Sequence, residues 1–296
     1  FVFVDIDDID SVNANDFETV IFGWNATYIS KFYTTKYNFY RKYIENLEFE
    51  HQMKEKLKDF LKIENKFLIV QDLFDADYYK GVENLCKYLK RYKFNGIVTP
   101  YYKIQSIDFV LERIPELDII HVPHHIDSNN FKDYGLKKKY DIFLFGNTST
   151  VYMFRARIKD LLQKNKDKFN VVIWDKYRNY FKHEAHKSND RLSRVINQSW
   201  LTICTPSNYD MLLGKYFETS MSNSTVCGNM PEDGKNIWRD NYIELNPEMS
   251  DEEIINSLER ALKYKSVLIK KSKTMMYKMK KYHLNKFSNK LYNMII

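Results

Sequence analysis

The sequence predicts an α/β protein with two Rossmann-like, doubly wound parallel-sheet domains that face a cleft. Short apolar runs alternate with helical stretches along the chain, a pattern typical of parallel sheets covered by helices on both faces. The length of 296 residues suffices for two domains, each with its own core. The alternation falls into two sets that meet near residues 129–139. Since open parallel sheets bind ligands at the carboxyl ends of their strands, we expect the site there.

Hydrophobic patterning assigns the elements of each set. The first set predicts strands at 1–4, 19–22, 67–70, 96–98 and 119–122, with helices at 39–61, 78–92 and 107–113. The second predicts strands at 141–145, 170–174, 201–204, 224–227 and 242–244, with helices at 151–164, 190–198, 210–221 and 251–263. The chain therefore divides into an N-terminal domain (1–130), a C-terminal domain (131–265) and a basic helical segment (266–296) that we expect to pack back on the N-terminal domain. Because the sequence begins at Phe1 rather than at a methionine, we expect a piece to be missing at its start.

Composition indicates a soluble protein of a reducing compartment. Apolar residues make up 44% of the chain and charged residues 29%, without a signal peptide or an uncharged apolar run of about 18 residues. The three cysteines are odd in number, widely spaced and set among apolar residues, which argues against a disulfide framework. We predict a cytoplasmic protein.

The net charge of +7 is concentrated near the C-terminus. Between residues 263 and 290 the chain has ten lysines and no acidic residue, interleaved with apolar residues. The favoured interpretation is an amphipathic helix with a solvated basic face. The alternative is a patch for anionic lipid headgroups, hence a peripheral membrane contact, or for a polyanionic acceptor. No nucleic acid is expected, since no binding motif accompanies the charge.

Several chemistries are excluded by missing motifs. With 8 glycines the chain has no G-x-G-x-x-G, no P-loop and no G-x-S-x-G elbow, which argues against dehydrogenases, NTPases and serine hydrolases. His183 and His186 are one residue too close together for a zinc helix. We therefore predict no metal and no bound cofactor.

Two stretches of the second half carry candidate chemistry. Asp210 and Glu218 are eight positions apart in the predicted helix 210–221, which would place both carboxylates on one face, about 12 Å apart. Upstream, the strand 141–145 ends in Gly146, Asn147 and small polar residues before a helix, which suits phosphate binding at the helix N-terminus. A simple turn explains that second stretch equally well. Arg155, Arg157 and Lys159 follow in that helix and could offset a diphosphate charge.

These stretches together resemble the donor half of the glycosyl transferases group 1 superfamily, which has the GT-B architecture. The hallmark Pro-Ser-x-Tyr-Glu, seven residues, then Glu-Ala-x-x-x-Gly-x-Pro-Val-Val is similar to Pro206, Ser207, Tyr209, Asp210, Glu218 and Val226. Asp210 replaces the first Glu and Asn223 replaces the Gly. The linker motif Pro-x-Gly-Val-Asp-x-x-x-Phe resembles Pro123, Ile126, Asp127 and Phe131, with His125 in place of Gly. The resemblance covers about residues 119–262.

The resemblance implies a role for each matched residue. Glu218 would accept hydrogen bonds from the ribose hydroxyls of a nucleotide sugar, and Asp210 would hold hydroxyls of the donor sugar. Amides of Ser207, Asn208 and Tyr209 would contact the sugar or the diphosphate. Lys215 would be a basic residue for the phosphates. Lys215 and Asp210 would together be the catalytic residues.

Two further positions depart from the family or depend on the linker. The family's Arg after Gly146 is missing, because Asn147 stands there, so Arg155, Lys215 or another basic residue must neutralise the phosphates. His124 and His125 could contact substrate or acceptor in the cleft, or they could be structural.

The resemblance implies a glycosyltransferase, retaining and metal-independent, that moves a sugar from a nucleotide-diphosphate sugar to a glycan, lipid-linked or protein acceptor. The first domain would hold the acceptor. Two alternatives remain at this point: a nucleotide-sugar epimerase or hydrolase of the same fold, and a non-catalytic interaction module that keeps the fold.

Overall fold

The computed structural model describes residues 12–22, 57–70, 82–101, 105–175 and 185–295. The predicted strand 1–4, most of the predicted helix 39–61 and the start of the predicted helix 78–92 lie outside the described residues. The chain divides into two compact units. One comprises Phe1–Pro123 with Leu291–Ile296, and the other comprises His124–Lys290.

The first unit contains a four-stranded parallel sheet. Its strands are β1 (Thr19–Phe22), β2 (Asn65–Ile69), β3 (Gly96–Thr99) and β4 (Asp118–His121), side by side in chain order. The described helices are α1 (Val82–Arg91) and α2 (Gln105–Arg113). Leu68, Ile97 and Val110 are fully buried and belong to the core of this unit. The four strands match the predicted ones to within two residues at each end.

The second unit contains a five-stranded parallel sheet whose strand order reverses direction. Its strands are β5 (Tyr140–Phe145), β6 (Val171–Trp174), β7 (Ser199–Ile203), β8 (Thr225–Gly228) and β9 (Ile243–Glu244), in the order β6-β5-β7-β8-β9. The connections therefore leave β5 and β7 in opposite directions. This point is where doubly wound sheets open a crevice at their carboxyl edge. The predicted fold class is confirmed.

Helices cover both faces of this second sheet. They are α3 (Met153–Lys164), α4 (Ala185–Asn197), α5 (Gly214–Met221), α6 (Glu232–Trp238), α7 (Asp251–Lys263) and α8 (Lys265–Met279). The last helix, α9 (Phe287–Ile295), belongs to the first unit from Leu291 onward. Neighbouring residues of β5 point to opposite faces, so Phe143 packs in one core with Phe217 and Trp238, while Ile142 packs in the other with Leu162. Both faces are apolar, as a parallel sheet requires.

The helix predicted at 210–221 begins four residues later, at Gly214. Asp210 has a positive φ of 49°, and Leu213 is extended. Met211 and Leu212 between them are buried, so the segment is held in the core as an irregular connection rather than as a helical turn. The prediction that Asp210 and Glu218 project from one helix face is therefore wrong. Lys215 and Glu218 share the helix instead.

The basic C-terminal segment begins with α8, which packs in the second unit. Leu268, Met275 and Met279 form its buried stripe and join the cores of that unit. Residues 266–290 thus belong to the second unit, and 291–295 to the first. The boundaries at 130 and 265 stay predictions. Within the described part of the chain, no helix combines the length and the apolar character needed to cross a membrane.

Candidate functional site

The site begins at the turn that follows β5, where the strand order reverses. Gly146 has φ of 99°, a left-handed conformation that favours glycine. A Cβ built on Gly146 would lie 3.1 Å from Nη1 of Arg155 and 3.5 Å from Nζ of Lys215. The bare glycine backbone therefore lies directly against two cationic groups. The turn predicted from the small polar residues after β5 is present at the carboxyl edge of the sheet.

Arg155 reaches this turn from α3 and is 3% exposed. Its Nε donates to the Thr205 hydroxyl at 3.1 Å, and its Nη2 donates to the Thr205 carbonyl at 2.8 Å. Its Nη1 donates to the Asn147 carbonyl at 2.9 Å, and its guanidinium lies 4.2 Å from the centroid of the Tyr152 ring. These contacts fix the guanidinium in one place between the ends of β5 and β7.

Lys215 approaches the same point from the first turn of α5 and is 7% exposed. Its Nζ donates to the Phe145 carbonyl at 2.7 Å and to the Ile203 carbonyl at 3.4 Å. These two carbonyls are the last of β5 and of β7. The ammonium group of Lys215 thus lies at the carboxyl ends of both strands and next to Gly146.

The two cations have neutral acceptors as their hydrogen-bond partners. Across the described ranges, neither Arg155 nor Lys215 has a carboxylate within ion-pair distance. Burial lowers the pKa of Lys215 well below its usual range, and the neighbouring charge of Arg155 lowers it further. Burial lowers the pKa of Arg155 as well. Holding two like charges together away from water costs free energy, which an anion bound at Gly146 would offset.

Glu218 lies three residues after Lys215, almost one turn further along α5, and is partly buried. A Cβ built on Gly214 would lie 3.8 Å from Oε1 of Glu218 and 3.8 Å from Nδ1 of His124. The carboxylate of Glu218, the imidazole of His124 and the side chain of Ile126 therefore all lie close to the first turn of α5. Burial raises the pKa of Glu218 to about 7, and the charge of Lys215 opposes the rise.

The other basic residues of α3 and the second linker histidine face elsewhere. Arg157 donates to Asp251 and to the carbonyls of Pro247 and Met249, while Lys159 pairs with Asp175 at 2.9 Å. His125 packs against the rings of Tyr282 and Phe287. Of the three basic residues predicted on α3, only Arg155 contacts the turn at Gly146. Of the two linker histidines, His124 lies near Glu218 and His125 packs against aromatic rings.

The segment from Ser207 to Asp210 forms its own turn. The N–H of Asn208 donates to the Val151 carbonyl at 3.0 Å, that of Tyr209 to the Ser207 hydroxyl, and that of Asp210 to the Ser207 carbonyl. Their roles toward a sugar or diphosphate stay predictions, since these three N–H groups already have acceptors. Asp210 is exposed; burial nonetheless raises the pKa of its carboxyl, while the Glu232 N–H and Lys235 lower it.

Sequence reasoning missed Thr205 and Gly228. Thr205 is fully buried and holds Arg155 through both its hydroxyl and its carbonyl. Gly228 ends β8 at φ of 148°, and a Cβ there would lie 1.9 Å from the Cys204 carbonyl oxygen. The sequence around Gly228 indicates the end of β8, so this glycine could have been found from the local pattern. Thr205 could not, because its partner Arg155 lies 50 residues away in the chain.

Metal-ligating side chains do not gather in the described part of the chain: no group of three or more His, Cys, Asp or Glu could hold an ion there. Of the pair His183 and His186, His183 lies outside the described residues, and His186 lies in the first turn of α4. Cys204 is buried beside the cations, and burial raises the pKa of its thiol. The arrangement provides two fixed cations, one carboxylate and one imidazole.

No protein-family model and no curated protein matched the sequence. Solved structures match the fold at low identity. A sucrose-phosphate synthase from Thermosynechococcus elongatus has a TM-score of 0.55 and 10% identity, over 88% of this chain and 79% of that chain. A point mutant of S. aureus TarM, in complex with fondaparinux, alpha-GlcNAc-glycerol and UDP, has a TM-score of 0.53 and 11% identity, over 79% of this chain and 51% of that one.

The pneumococcal O-GlcNAc transferase GtfA, in complex with UDP and GlcNAc, has a TM-score of 0.51 and 11% identity, over 83% of this chain and 54% of that one. The chain thus spans about half the length of TarM and of GtfA. Together these likenesses show a fold like that of the GT-B glycosyltransferases.

Proposed function

We propose that the protein is a glycosyltransferase that takes its sugar from a nucleotide-diphosphate sugar. The observation that carries this proposal is the pair of buried cations, Arg155 and Lys215, held against Gly146 by neutral acceptors at the switch point of the second sheet. A diphosphate would supply the negative charge that this pair lacks. The TarM and GtfA structures of the same fold contain UDP, which makes a uridine nucleotide the first candidate.

In the proposed reaction, the cations act on the leaving group. As the bond from the sugar to the diphosphate breaks, negative charge grows on the phosphate oxygens, and Arg155 and Lys215 stabilise it without needing to reorganise. The acceptor hydroxyl forms the new bond to the anomeric carbon from the face that the diphosphate leaves, and its proton passes to a phosphate oxygen. The mechanism we propose is independent of metal ions, because two fixed cations can neutralise a diphosphate as a divalent ion would. We also propose that it is retaining, as the resemblance to the group 1 superfamily implies.

Glu218 is the proposed ligand of the ribose. Its ionised carboxylate can accept from two neighbouring hydroxyls at once, and it lies on the same helix as the phosphate ligand Lys215. His124 lies beside the first turn of α5, as Glu218 does, and is a further proposed contact for the substrate. Asp210 is the proposed ligand of donor-sugar hydroxyls. The acceptor, of the glycan, lipid-linked or protein class, is proposed to bind to the first unit.

A thermal-shift panel of UDP-, GDP-, ADP- and dTDP-sugars tests the donor, since a specific ligand stabilises the folded state by mass action. Arg155→Met should abolish the shift, whereas Arg157→Met, two residues away and paired with Asp251, should keep it. Equal shifts in both variants, or no shift with any of the four nucleotides, would contradict the proposal.

Transfer is tested separately with the best donor of the panel. Incubation with a mixed acceptor extract should give a sugar-labelled product in the presence of EDTA. Release of free sugar alone would instead indicate a hydrolase, and interconversion of the donor sugar would indicate an epimerase. Donor binding with none of these reactions would indicate a non-catalytic module.

A further inference from the structure

The outward side of α8 carries a compact basic surface with aromatic and aliphatic residues inside it. Leu268, Ser272, Met275 and Met279 form the buried stripe of the helix. Lys270, Lys273 and Tyr277 follow the helical spacing on the opposite side, and all three are exposed. Lys280 and Lys281 in the next turn are exposed as well. We call these five residues the lysine face.

Across the described ranges, no ion pair neutralises the charges of the lysine face. No acidic residue occurs between 263 and 290, so the helix itself supplies no counter-charge. Lys271 lies beside the face and donates to the backbone carbonyl of Asp240 rather than to a carboxylate. A positive potential therefore remains on this side of the unit.

Apolar side chains are exposed within and beside the same face. Tyr277 is 72% exposed, and Nζ of Lys280 lies 5.1 Å from the centroid of its ring. Val267, Ile269 and Leu284 are each 42–50% exposed. Exposed apolar side chains are unfavourable on a surface that faces only water, whereas they can be buried at a lipid interface. Tyrosine has its preferred depth at lipid headgroups, where its ring is buried and its hydroxyl stays wet.

We propose that the lysine face binds the surface of an anionic membrane. Lysine stems would lie along the headgroups and their ammonium groups would meet the lipid phosphates, while Tyr277 would insert between them. The segment 263–290 contains lysine and no arginine, which suits a diffuse layer of charge better than the paired, planar recognition of one phosphate or base. This inference does not depend on the proposed transfer reaction.

Co-sedimentation with vesicles tests the surface. The protein should bind vesicles that contain one third phosphatidylglycerol in phosphatidylcholine, should not bind pure phosphatidylcholine, and should be released by about 0.5 M salt. The double variant Lys270→Gln and Lys273→Gln should bind about 25-fold more weakly, since one lysine near an anionic surface contributes about a factor of five. The matched control Lys164→Gln and Lys166→Gln removes the same charge elsewhere and should bind like the unmodified protein.

Tyr277→Ser separates a membrane from a soluble polyanion. Loss of the ring should weaken vesicle binding about threefold or more at unchanged charge. Glycerophosphoglycerol, the free headgroup, should not compete at millimolar concentration. The proposal is overturned if the control double variant loses as much binding as the face variant, if Tyr277→Ser binds vesicles normally, or if the free headgroup or a short RNA binds as tightly as the vesicles do. Thermal unfolding of each variant shows whether the fold is intact.

Discussion

Two lysines at opposite edges of one sheet, one partly buried and one buried, differ in the charges around them and in the role that we infer for each. Lys138 lies at the amino edge, before β5, and its Nζ donates to the Ser199 carbonyl at 2.8 Å and the Asn223 carbonyl at 2.6 Å. Lys215 lies at the carboxyl edge and also donates to two carbonyls. The charged neighbour differs: Asp133 supports the charge of Lys138, whereas Arg155 opposes that of Lys215.

This difference indicates which of the two lysines is placed to bind an anion. Burial lowers the pKa of Lys138 to about 8, with Asp133 limiting the fall. Asp133 in turn accepts from Asn197 and Asn223, so the amino edge forms a polar network next to Lys138. At the carboxyl edge Glu218 offsets the repulsion between Lys215 and Arg155 in part, and we propose that a bound anion compensates the rest. We infer that Lys138 serves the fold and that Lys215 serves the ligand, and four predictions test this contrast.

The largest effect is expected at the carboxyl edge. Lys215→Met should weaken UDP binding by about 100-fold or more, because charge-assisted hydrogen bonds to the phosphates are lost. The free energy of unfolding of the free protein should change little, since removal of the buried charge offsets the loss of the hydrogen bonds to the Phe145 and Ile203 carbonyls. Titration calorimetry with UDP and urea unfolding measure the two. UDP affinity within threefold of the unmodified protein would show that the contrast is wrong.

At the amino edge, Lys138→Met should have the reverse profile. The free energy of unfolding should fall by about 1 kcal/mol, because the partly buried Asn223 carbonyl loses its lysine donor. UDP affinity should not change. The exposed neighbour Lys137 offers the control, since Lys137→Met should alter stability by less than about 0.5 kcal/mol. A loss of UDP binding in Lys138→Met at intact stability would argue against a structural role.

A pH series sharpens the assignment of Glu218. Its pKa of about 7 means that roughly a tenth of the carboxyl is ionised at pH 6 and nine tenths at pH 8. If the ionised form accepts from the ribose, UDP affinity should rise about tenfold over this range. Glu218→Gln cannot ionise, so any rise of UDP affinity that remains in this variant comes from another group, such as the phosphates of UDP. A rise as steep in the variant would exclude Glu218 as its source.

The same shift has an opposite effect on the stability of the free protein. The folded state binds the proton of Glu218 more tightly than the unfolded chain, whose pKa is near 4.5. The stabilising contribution of the protonated carboxyl is therefore complete below pH 4.5 and is lost as pH rises to about 7. Glu218→Gln should flatten that part of the pH profile in urea unfolding.

The smallest effect is expected at the turn between the cations. Gly146→Ala should cost about 1 kcal/mol of stability through its positive φ, and should also weaken UDP binding because the methyl group crowds Arg155 and Lys215. Gly135→Ala is the matched control, with φ of 65° and no neighbouring atom within 4 Å of its Cβ. It should lose similar stability and no affinity. Equal UDP affinities in the two variants would remove Gly146 from the site.

The sequence by itself determined the alternation of strands and helices, and the structure confirms this pattern in the described residues. Strand bounds were predictable because parallel strands buried on both faces appear as apolar runs between polar turns, as in β5 and β8. The turn at Gly146 was also predicted from the small polar residues after β5, whereas the role of Glu218 follows from the family resemblance and stays a prediction. The start of α5 was not predictable, because it depends on the burial of Met211 and Leu212 in a core formed by distant residues.

The tertiary structure alone decided which charges meet. Arg155 and Arg157 are two residues apart and look alike in the sequence, yet one is buried beside Lys215 and the other pairs with Asp251. Lys138 and Lys215 differ in the same way through Asp133 and Arg155. Patterns of hydrophobicity are local and so are readable in a single sequence. The partners of a buried charge come from segments far apart in the chain, and only the packed sheet brings them together.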